Sequence, residues 1–194
     1  PYIDRVLKQA HPTLDLTPGA MMMVNTFVDD VFKKLVVEAF RLGDRDKLTT
    51  SHLEKAIRQI MSRELADLAV EEGTMAVSRS EKPDPVKPGA KGSSRSTRAG
   101  LQFDVARIDS FLRNHYTRNV ELRAPEYLAA VLELLAAELT EVPGNAAKEM
   151  KMSHVISHQV KKTIEEDGDL NGLWCLLRGV IPPEETAVRE ATAT

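Results

Sequence analysis

Few side chains in this sequence have the type and spacing that catalytic or metal chemistry requires. His154 and His158 stand four residues apart, where two imidazoles can share a metal ion, but no Glu or Cys stands at the spacing of a zinc site. Cys175 follows Trp174 in an apolar segment, so we expect it to pack rather than to act as a nucleophile. The sequence shows no glycine-rich phosphate loop. We therefore predict that the protein is not an enzyme and binds neither a metal ion nor a cofactor.

Charged side chains are the second set of candidates. Glu133, Glu138 and Glu141 are spaced so that they share one predicted helix. Such a series predicts either an acidic surface that binds cationic side chains of another molecule or a helix face that is only solvated. The chain holds 26 Lys and Arg against 29 Asp and Glu, a formal net charge of −3. That balance favours protein partners more than an overall basic chain would.

Length and composition limit the elements that can position these charges. The 194 residues fit one large or two small domains, and 42% hydrophobic with 28% charged residues is typical of globular proteins. One cysteine cannot form an internal disulfide, and no apolar run reaches the roughly 18 residues of a membrane span. We expect an intracellular protein with no membrane interaction, and, because the chain begins at Pro1, a tail upstream of it.

The chain divides into two blocks joined by a polar segment. Residues 79–97 are rich in Pro, Gly and Ser and nearly free of apolar side chains, so they predict a flexible linker. The flanking blocks are residues 1–78 and 98–181, and residues 182–194 are predicted to form a short C-terminal tail.

Each block is predicted to consist of a short helix, a long helix and a short helix. Steps of three and four residues, the period of a helix, separate the apolar positions of both long segments: Val24, Val28, Val31, Leu35, Ala39 and Leu42, and Leu128, Leu132, Leu135, Leu139 and Val142. Helix starts are predicted at Thr17 with Pro18, Ser51 with Glu54, Pro125 and Ser157, and helix ends at Gly43 and Gly168. The sequence therefore predicts an all-α fold built from two copies of one plan.

The first long helix carries more apolar surface than one block can cover. Phe27, Phe32 and the methionine run at 21–23 widen its apolar side beyond a single face. A three-helix unit of under 80 residues with such a helix usually needs a second copy to bury it. We therefore expect the two tethered blocks to pack against each other.

Long sequence strings in both blocks resemble core histones. RVLKQAHP at 5–12, AMMMVNTFVDDVF at 20–32, EAFRL at 38–42 and ELADLAVEEGTMAV at 64–77 resemble histone two-B. SRSTRAGLQF at 94–103, VARI at 105–108, APEYLAAVLELLAAELTEVPGNAAKE at 124–149 and DLNGLW at 169–174 resemble histone two-A. Two core histones fused in this order resemble the histone doublets of Marseillevirus-group giant DNA viruses. The resemblance implies a histone fold in each block and an intramolecular handshake dimer.

The resemblance also implies which residues bind DNA, through phosphates and the minor groove and without reading bases. Some of them match family positions that face DNA, and ordinary surface charge is the alternative for each. Asn119 and His154 stand where the family has arginines, so we expect a weaker hold on DNA there. The candidates are Arg5, Lys8, Arg45, Lys47, Arg95, Arg98, Arg107, Arg113, Arg118, Lys151 and His154.

Seven carboxylates match the acidic patch of the family, which binds arginine anchors of partner proteins; a solvated helix face is the alternative. They are Glu64, Glu72, Glu133, Glu138, Glu141, Asp167 and Asp169. The resemblance implies a doublet that wraps double-stranded DNA, together with a second doublet similar to histones four and three, to package a viral genome in the virion and in the host nucleus or viral factory. The alternative function is a histone-fold interaction module, or a transcription-factor subunit, that uses its acidic surface.

Overall fold

Helices make up most of the chain that the structure, a computed structural model, describes: residues 2–43, 46–82 and 93–179. The predicted helical class is confirmed. The elements in chain order are α1 Tyr2–Ala10, β1 Asp15–Leu16, α2 Pro18–Leu42, α3 Thr50–Ile60, α4 Arg63–Glu81, α5 Arg95–Ala99, α6 Val105–His115, α7 Ala124–Glu149, β2 His154–Val155, α8 Ser157–Glu166 and α9 Gly168–Arg178. In the described residues no helix is long and apolar enough to cross a membrane.

Two predicted helix starts are right, or right to within one residue, because they depend on local chemistry. Thr17 caps α2, where its Oγ1 accepts a hydrogen bond from the Ala20 N–H at 3.4 Å and Pro18 is the first helical residue. Pro125 is the second residue of α7 rather than the first. Gly43 follows the last residue of α2, as predicted.

The start of α3 differs from the prediction by two residues. Its N-cap is Thr49, whose Oγ1 accepts from the His52 N–H at 3.2 Å, and not Ser51. The carboxylate of Glu121 accepts from the Thr50 N–H at 2.8 Å, so a residue from the other block satisfies a free amide of the first turn. The helix can therefore begin earlier than its own sequence indicates.

The ends of α8 also differ from the prediction. Ser157 is the first helical residue and not the cap, because the Gln159 side chain accepts from the Ile156 N–H at 2.9 Å. Gly168 does not end α8 but begins α9, since the Asp167 carboxylate caps α9 by accepting from the Leu170 N–H at 2.8 Å.

Helix α7 lies at the centre of the fold. Residues 124–133 are all buried, which amounts to nearly three turns enclosed on every side. The enclosing elements include α1, α2, α3 and α4 of the first block as well as α6 and α8 of its own. By contrast, the methionine run of α2 is only partly covered, because Met22 is 69% exposed. The apolar surface that needs a second block is therefore larger on α7 than on α2.

Backbone pairing joins the two blocks at two places. Strand β1 lies parallel to β2, with Asp15 opposite His154 and Leu16 opposite Val155. The loop between α2 and α3 pairs with the loop between α6 and α7, where the Leu48 N–H donates to the Asn119 carbonyl at 3.0 Å and the Glu121 N–H donates to the Leu48 carbonyl at 2.9 Å. Each block thus contributes one loop to each pairing.

The segment predicted as a linker is helical at both ends. Helix α4 continues to Glu81 and α5 begins at Arg95, while residues 83–92 and the predicted tail at 182–194 lie outside the described residues. Arg123 donates to the Ser80 hydroxyl at 3.1 Å and to the Glu126 carboxylate at 3.4 Å. Both helical ends therefore contact one group of charged side chains at the start of α7.

Glu126 is the buried member of that group. Its carboxylate has no solvent exposure and accepts two bonds from the Arg95 guanidinium, at 3.1 and 2.9 Å. Arg95 also donates to Asp109 at 3.0 Å and to the Leu122 carbonyl at 2.6 Å. A buried carboxylate is tolerated only when it is paired and hydrogen-bonded, and here two arginines supply both conditions.

We expect neither residues 1–78 nor residues 98–194 to fold alone, because each would expose the surface that the other covers. Mixing the two fragments should restore the helix content seen by circular dichroism. Cooperative thermal unfolding of either isolated fragment would contradict this expectation.

Glu126→Ala should destabilise the protein by about 3 kcal/mol, because it leaves the charges of Arg95 and Arg123 without their buried partner. The free energy of unfolding is measured by urea titration. The control is Asp67→Ala, which removes an exposed pair with Arg58 and should cost less than about 1 kcal/mol. An equal decrease in the free energy of unfolding in the two variants would show that the buried network stabilises the protein no more than an exposed ion pair does.

Candidate nucleic-acid interface

The pairing of the α2–α3 loop with the α6–α7 loop places cationic residues from both blocks near one another in the fold. Lys47 and Arg118 are both exposed, and their loops are joined by the pairing of Leu48 with Val120. The Thr117 hydroxyl adds a second link, because it donates to the Asp46 carbonyl at 2.9 Å. The candidate Arg45 lies outside the described residues. These exposed cations are suited to phosphate contacts.

The pairing of β1 with β2 places a lysine and an imidazole beside two helix N-termini. Lys151 and His154 are exposed beside β1, and α2 and α8 both begin next to the paired strands. The two helix starts approach so closely that a Cβ added to Gly19 would lie 2.4 Å from the Ser157 Oγ. The dipole and the unpaired N–H groups of a helix N-terminus attract anions, and two adjacent starts favour phosphate, although in α2 Pro18 has no N–H and the Ala20 N–H is bonded to Thr17.

Lys8 is less available than the sequence suggests. It forms an ion pair with Asp15 at 2.8 Å, and its ammonium also donates to the Leu14 carbonyl at 3.4 Å. The hydrogen bond and charge of Lys8 lower the pKa of the Asp15 carboxyl below its ordinary value. Lys8 therefore holds the end of the loop between α1 and α2, in addition to any contact with DNA.

Helices α1 and α6 carry two further exposed cations. Arg5 lies over the Tyr2 ring, with its Cζ 5.6 Å from the ring centroid. Arg107 lines a cavity of about 420 Å³ between α1, α2 and α6, together with Asp29 and Asp104. The apolar walls of this cavity and its two carboxylates make it a poor site for phosphate, and DNA contact by the exposed Arg107 stays a prediction.

Two predicted DNA-binding arginines, Arg95 and Arg113, are committed to internal contacts. Each nitrogen of the Arg95 guanidinium has an acceptor within the chain, as described above. The same holds for Arg113, which donates to Asp109 at 2.9 Å and to the carbonyls of Arg118 and Val120 at 2.7 and 3.0 Å. Arg98 is half-buried, and its Nε is buried without a partner. The geometry therefore favours structural roles for Arg95 and Arg113, and DNA contact by any of the three arginines stays a prediction.

The predicted acidic residues divide into a buried member and a surface group. Glu133 is 9% exposed and accepts from the backbone N–H groups of Gln102 at 2.7 Å and Phe103 at 2.9 Å. Burial raises the pKa of the Glu133 carboxyl. The two backbone bonds lower this pKa less strongly, and the charge of Glu72 raises it. Glu133 therefore fixes the segment before α6 and is not presented on the surface.

Glu138, Glu141 and Asp167 lie close enough to interact. Burial raises the pKa of Glu138, and the charges of Glu141 and then Asp167 raise it further. Glu141 and Asp167 are exposed, although one Asp167 oxygen caps α9. The rest of the predicted set differs in exposure: Glu64 is exposed, whereas Glu72 and Asp169 are half-buried.

Sequence reasoning missed the carboxylates that hold the arginines. Glu126 with Arg123 and Asp109 with Arg113 stand at helical spacings of three and four residues, which is the signal that could have identified them. Glu121, which accepts from the Thr50 N–H at the start of α3, has no such signal because its partner lies in the other block. Among the described residues, no group of three or more His, Cys, Asp and Glu could hold a metal ion.

Glu138→Gln should raise the free energy of unfolding at pH 7, because the raised pKa means that the ionised carboxylate is disfavoured in the folded state. The native protein binds this proton more tightly than the unfolded chain, so stability is lost as pH rises through the folded pKa. The wild type should therefore gain stability as the pH falls from 7 through the folded pKa of Glu138, and the variant should gain less. Glu64→Gln, on the exposed surface, is the control; identical pH profiles of wild type and Glu138→Gln would contradict the expectation.

Comparison with known proteins places part of the chain beside histones. No protein-family model matches the sequence. Over 85 residues, 43% of the chain, it is 49% identical to a histone two-A.1 of Tetrahymena pyriformis, and the same values hold for that of Tetrahymena thermophila. The match covers 64% of the length of each relative. This identity agrees with the resemblance of the second block and supports a histone relationship for that part of the chain.

Proposed function

We propose that this chain is a histone doublet, in which a block similar to histone two-B and a block similar to histone two-A clasp as an intramolecular handshake dimer. Three observations support the proposal. Each block contributes one loop to each of the two pairings, α7 is enclosed by helices of both blocks, and part of the chain is 49% identical to histone two-A. The linker keeps the two folds in equal numbers.

The proposed activity is binding and wrapping of double-stranded DNA without sequence specificity. The observation that carries it is the approach of the α2 and α8 starts beside Lys151 and His154, because helix N-termini and a lysine together attract phosphate without reading bases. The paired loop with Lys47 and Arg118 offers a second contact of the same kind.

We further propose that a second doublet, similar to histones four and three, completes a nucleosome-like particle that packages a viral genome. The sites of action would be the virion and the host nucleus or viral factory. This part of the proposal rests on the resemblance of both blocks to the fused histones of the Marseillevirus group.

A second candidate function is a protein-interaction module that uses its acidic surface. The net charge of −3 and the interacting carboxylates of Glu138, Glu141 and Asp167 favour it. If the chain binds an arginine-rich peptide but does not bind duplex DNA, that result would support this candidate against DNA wrapping.

Changing Arg107 and Arg118 together to Ala should flatten the slope of log affinity against log salt by up to about two, roughly one unit per phosphate contact. The loss should be equal for DNA duplexes of different sequence, because no bases are read. Arg58→Ala, whose guanidinium pairs with Glu54 and Asp67, is the matched control and should keep the slope. If the double variant has the same slope as the wild type, the two arginines are ordinary surface charges and do not contact phosphates.

We expect a particle assembled with this doublet to release it at lower salt than a eukaryotic nucleosome releases its two-A and two-B pair, because His154 and Asn119 stand where the family has arginines. Neutral imidazole is a weaker phosphate partner than guanidinium. His154→Arg should raise the salt concentration of release, and Gln59→Arg, which adds the same charge on the exposed side of α3, is the control. Release at equal or higher salt than the eukaryotic pair would contradict the expectation.

A further inference from the structure

The loop that carries Arg118 is held from two sides. On one side, the Arg113 guanidinium donates to the Arg118 carbonyl at 2.7 Å and to the Val120 carbonyl at 3.0 Å. On the other, the Asn119 carbonyl accepts from Leu48 at 3.0 Å. The carbonyls of three successive residues are thus all bonded, which leaves the backbone of this loop little freedom.

The hold on Arg113 extends to the buried network. Asp109 accepts from the Arg113 Nε at 2.9 Å and from the Arg95 Nη1 at 3.0 Å, and Arg95 is in turn bonded to Glu126. A continuous chain of charge-assisted bonds therefore leads from a carboxylate with no solvent exposure to the backbone of an exposed loop. Such bonds are the stronger kind, so the orientation of Arg113 is well fixed.

We propose that Arg113 is a positioning residue for DNA binding: it holds residues 118–120 so that the Arg118 side chain meets a phosphate, and it does not contact DNA itself. The inference rests on the proposed function and deepens it. It assigns the neighbouring arginines Arg113 and Arg118 two different roles, which their residue type does not distinguish.

A direct phosphate contact by Arg113 would be costly. The guanidinium would have to release the two loop carbonyls or bring a phosphate close to Asp109, whose negative charge repels it. Arg118 has neither obstacle, because its side chain is exposed and its backbone is already held. The geometry thus favours contact through Arg118 alone.

The test measures binding of the full chain to a mixed-sequence DNA duplex over a series of salt concentrations. Arg118→Ala should flatten the salt slope by about one unit. Arg113→Lys keeps the charge but cannot reach all three acceptors, so it should weaken binding roughly tenfold and lower the slope toward that of Arg118→Ala. The double variant should bind no more weakly than Arg118→Ala, because both changes remove the same contact.

Amide hydrogen exchange of the free protein is the second readout. In Arg113→Lys the Leu48 and Glu121 amides, which pair the two loops, should exchange faster, whereas Arg58→Lys should leave them protected. Asp109→Asn, which removes the charge that orients Arg113 but keeps an acceptor, should act in the same direction and serves if Arg113→Lys fails to fold.

The outcomes separate the inference from the proposed function. If Arg113→Lys keeps the wild-type affinity, slope and amide protection, or if its effect adds fully to that of Arg118→Ala, the positioning role is overturned. If the wild type does not bind duplex DNA at all, the proposed function fails; faster exchange at Leu48 and Glu121 in Arg113→Lys then still shows the hold on the loop, and unchanged exchange overturns it.

Discussion

The burial of α7 is the constraint on which the rest of this structure depends. A helix with ten consecutive buried residues at 124–133 needs neighbours on every side, and its own block supplies only some of them. Helices α1 to α4 of the first block cover the remainder, so the two blocks must interdigitate. The loop pairings and the network around Glu126 then lie where the chain enters and leaves this enclosed helix. The positions of the paired loops and of the charged network therefore depend on the burial of α7.

The same burial divides the arginines into two kinds. Where a carboxylate is enclosed near α7, as Glu126 is, arginines are drawn inward to pair with it, and their donors are no longer available to a ligand. Arg118 lies on a loop away from those carboxylates and keeps its side chain exposed. Residue type alone cannot make this distinction, since it follows from which carboxylates the fold encloses.

What the sequence could predict follows the range of the interactions involved. Thr17 and Pro18 act on their own helix, so the start of α2 was predicted correctly. Ser51 was predicted as a cap, but Thr49 is the cap, and Glu121 of the other block binds the amide of Thr50, an interaction that no local pattern in α3 reveals. The helical period predicted the long helices well, since periodicity reports on burial, but it could not reveal that β1 and β2 pair, because two-residue strands carry no period.

The net charge of −3 does not describe the charge that a ligand would meet at the candidate site. Formal charge counts side chains and omits the partial positive charge of helix N-termini, which α2 and α8 direct to one place beside Lys151. It also includes carboxylates such as Glu126, Asp109 and Glu133, whose bonds inside the chain remove them from the surface that a ligand meets. Screening limits each exposed charge to about 8 to 10 Å at ordinary salt, so a phosphate responds to the groups at the loop and not to the total. A negative net charge is therefore compatible with the proposed DNA binding, and because the proposed contacts are few, that binding would depend on how firmly each loop is held.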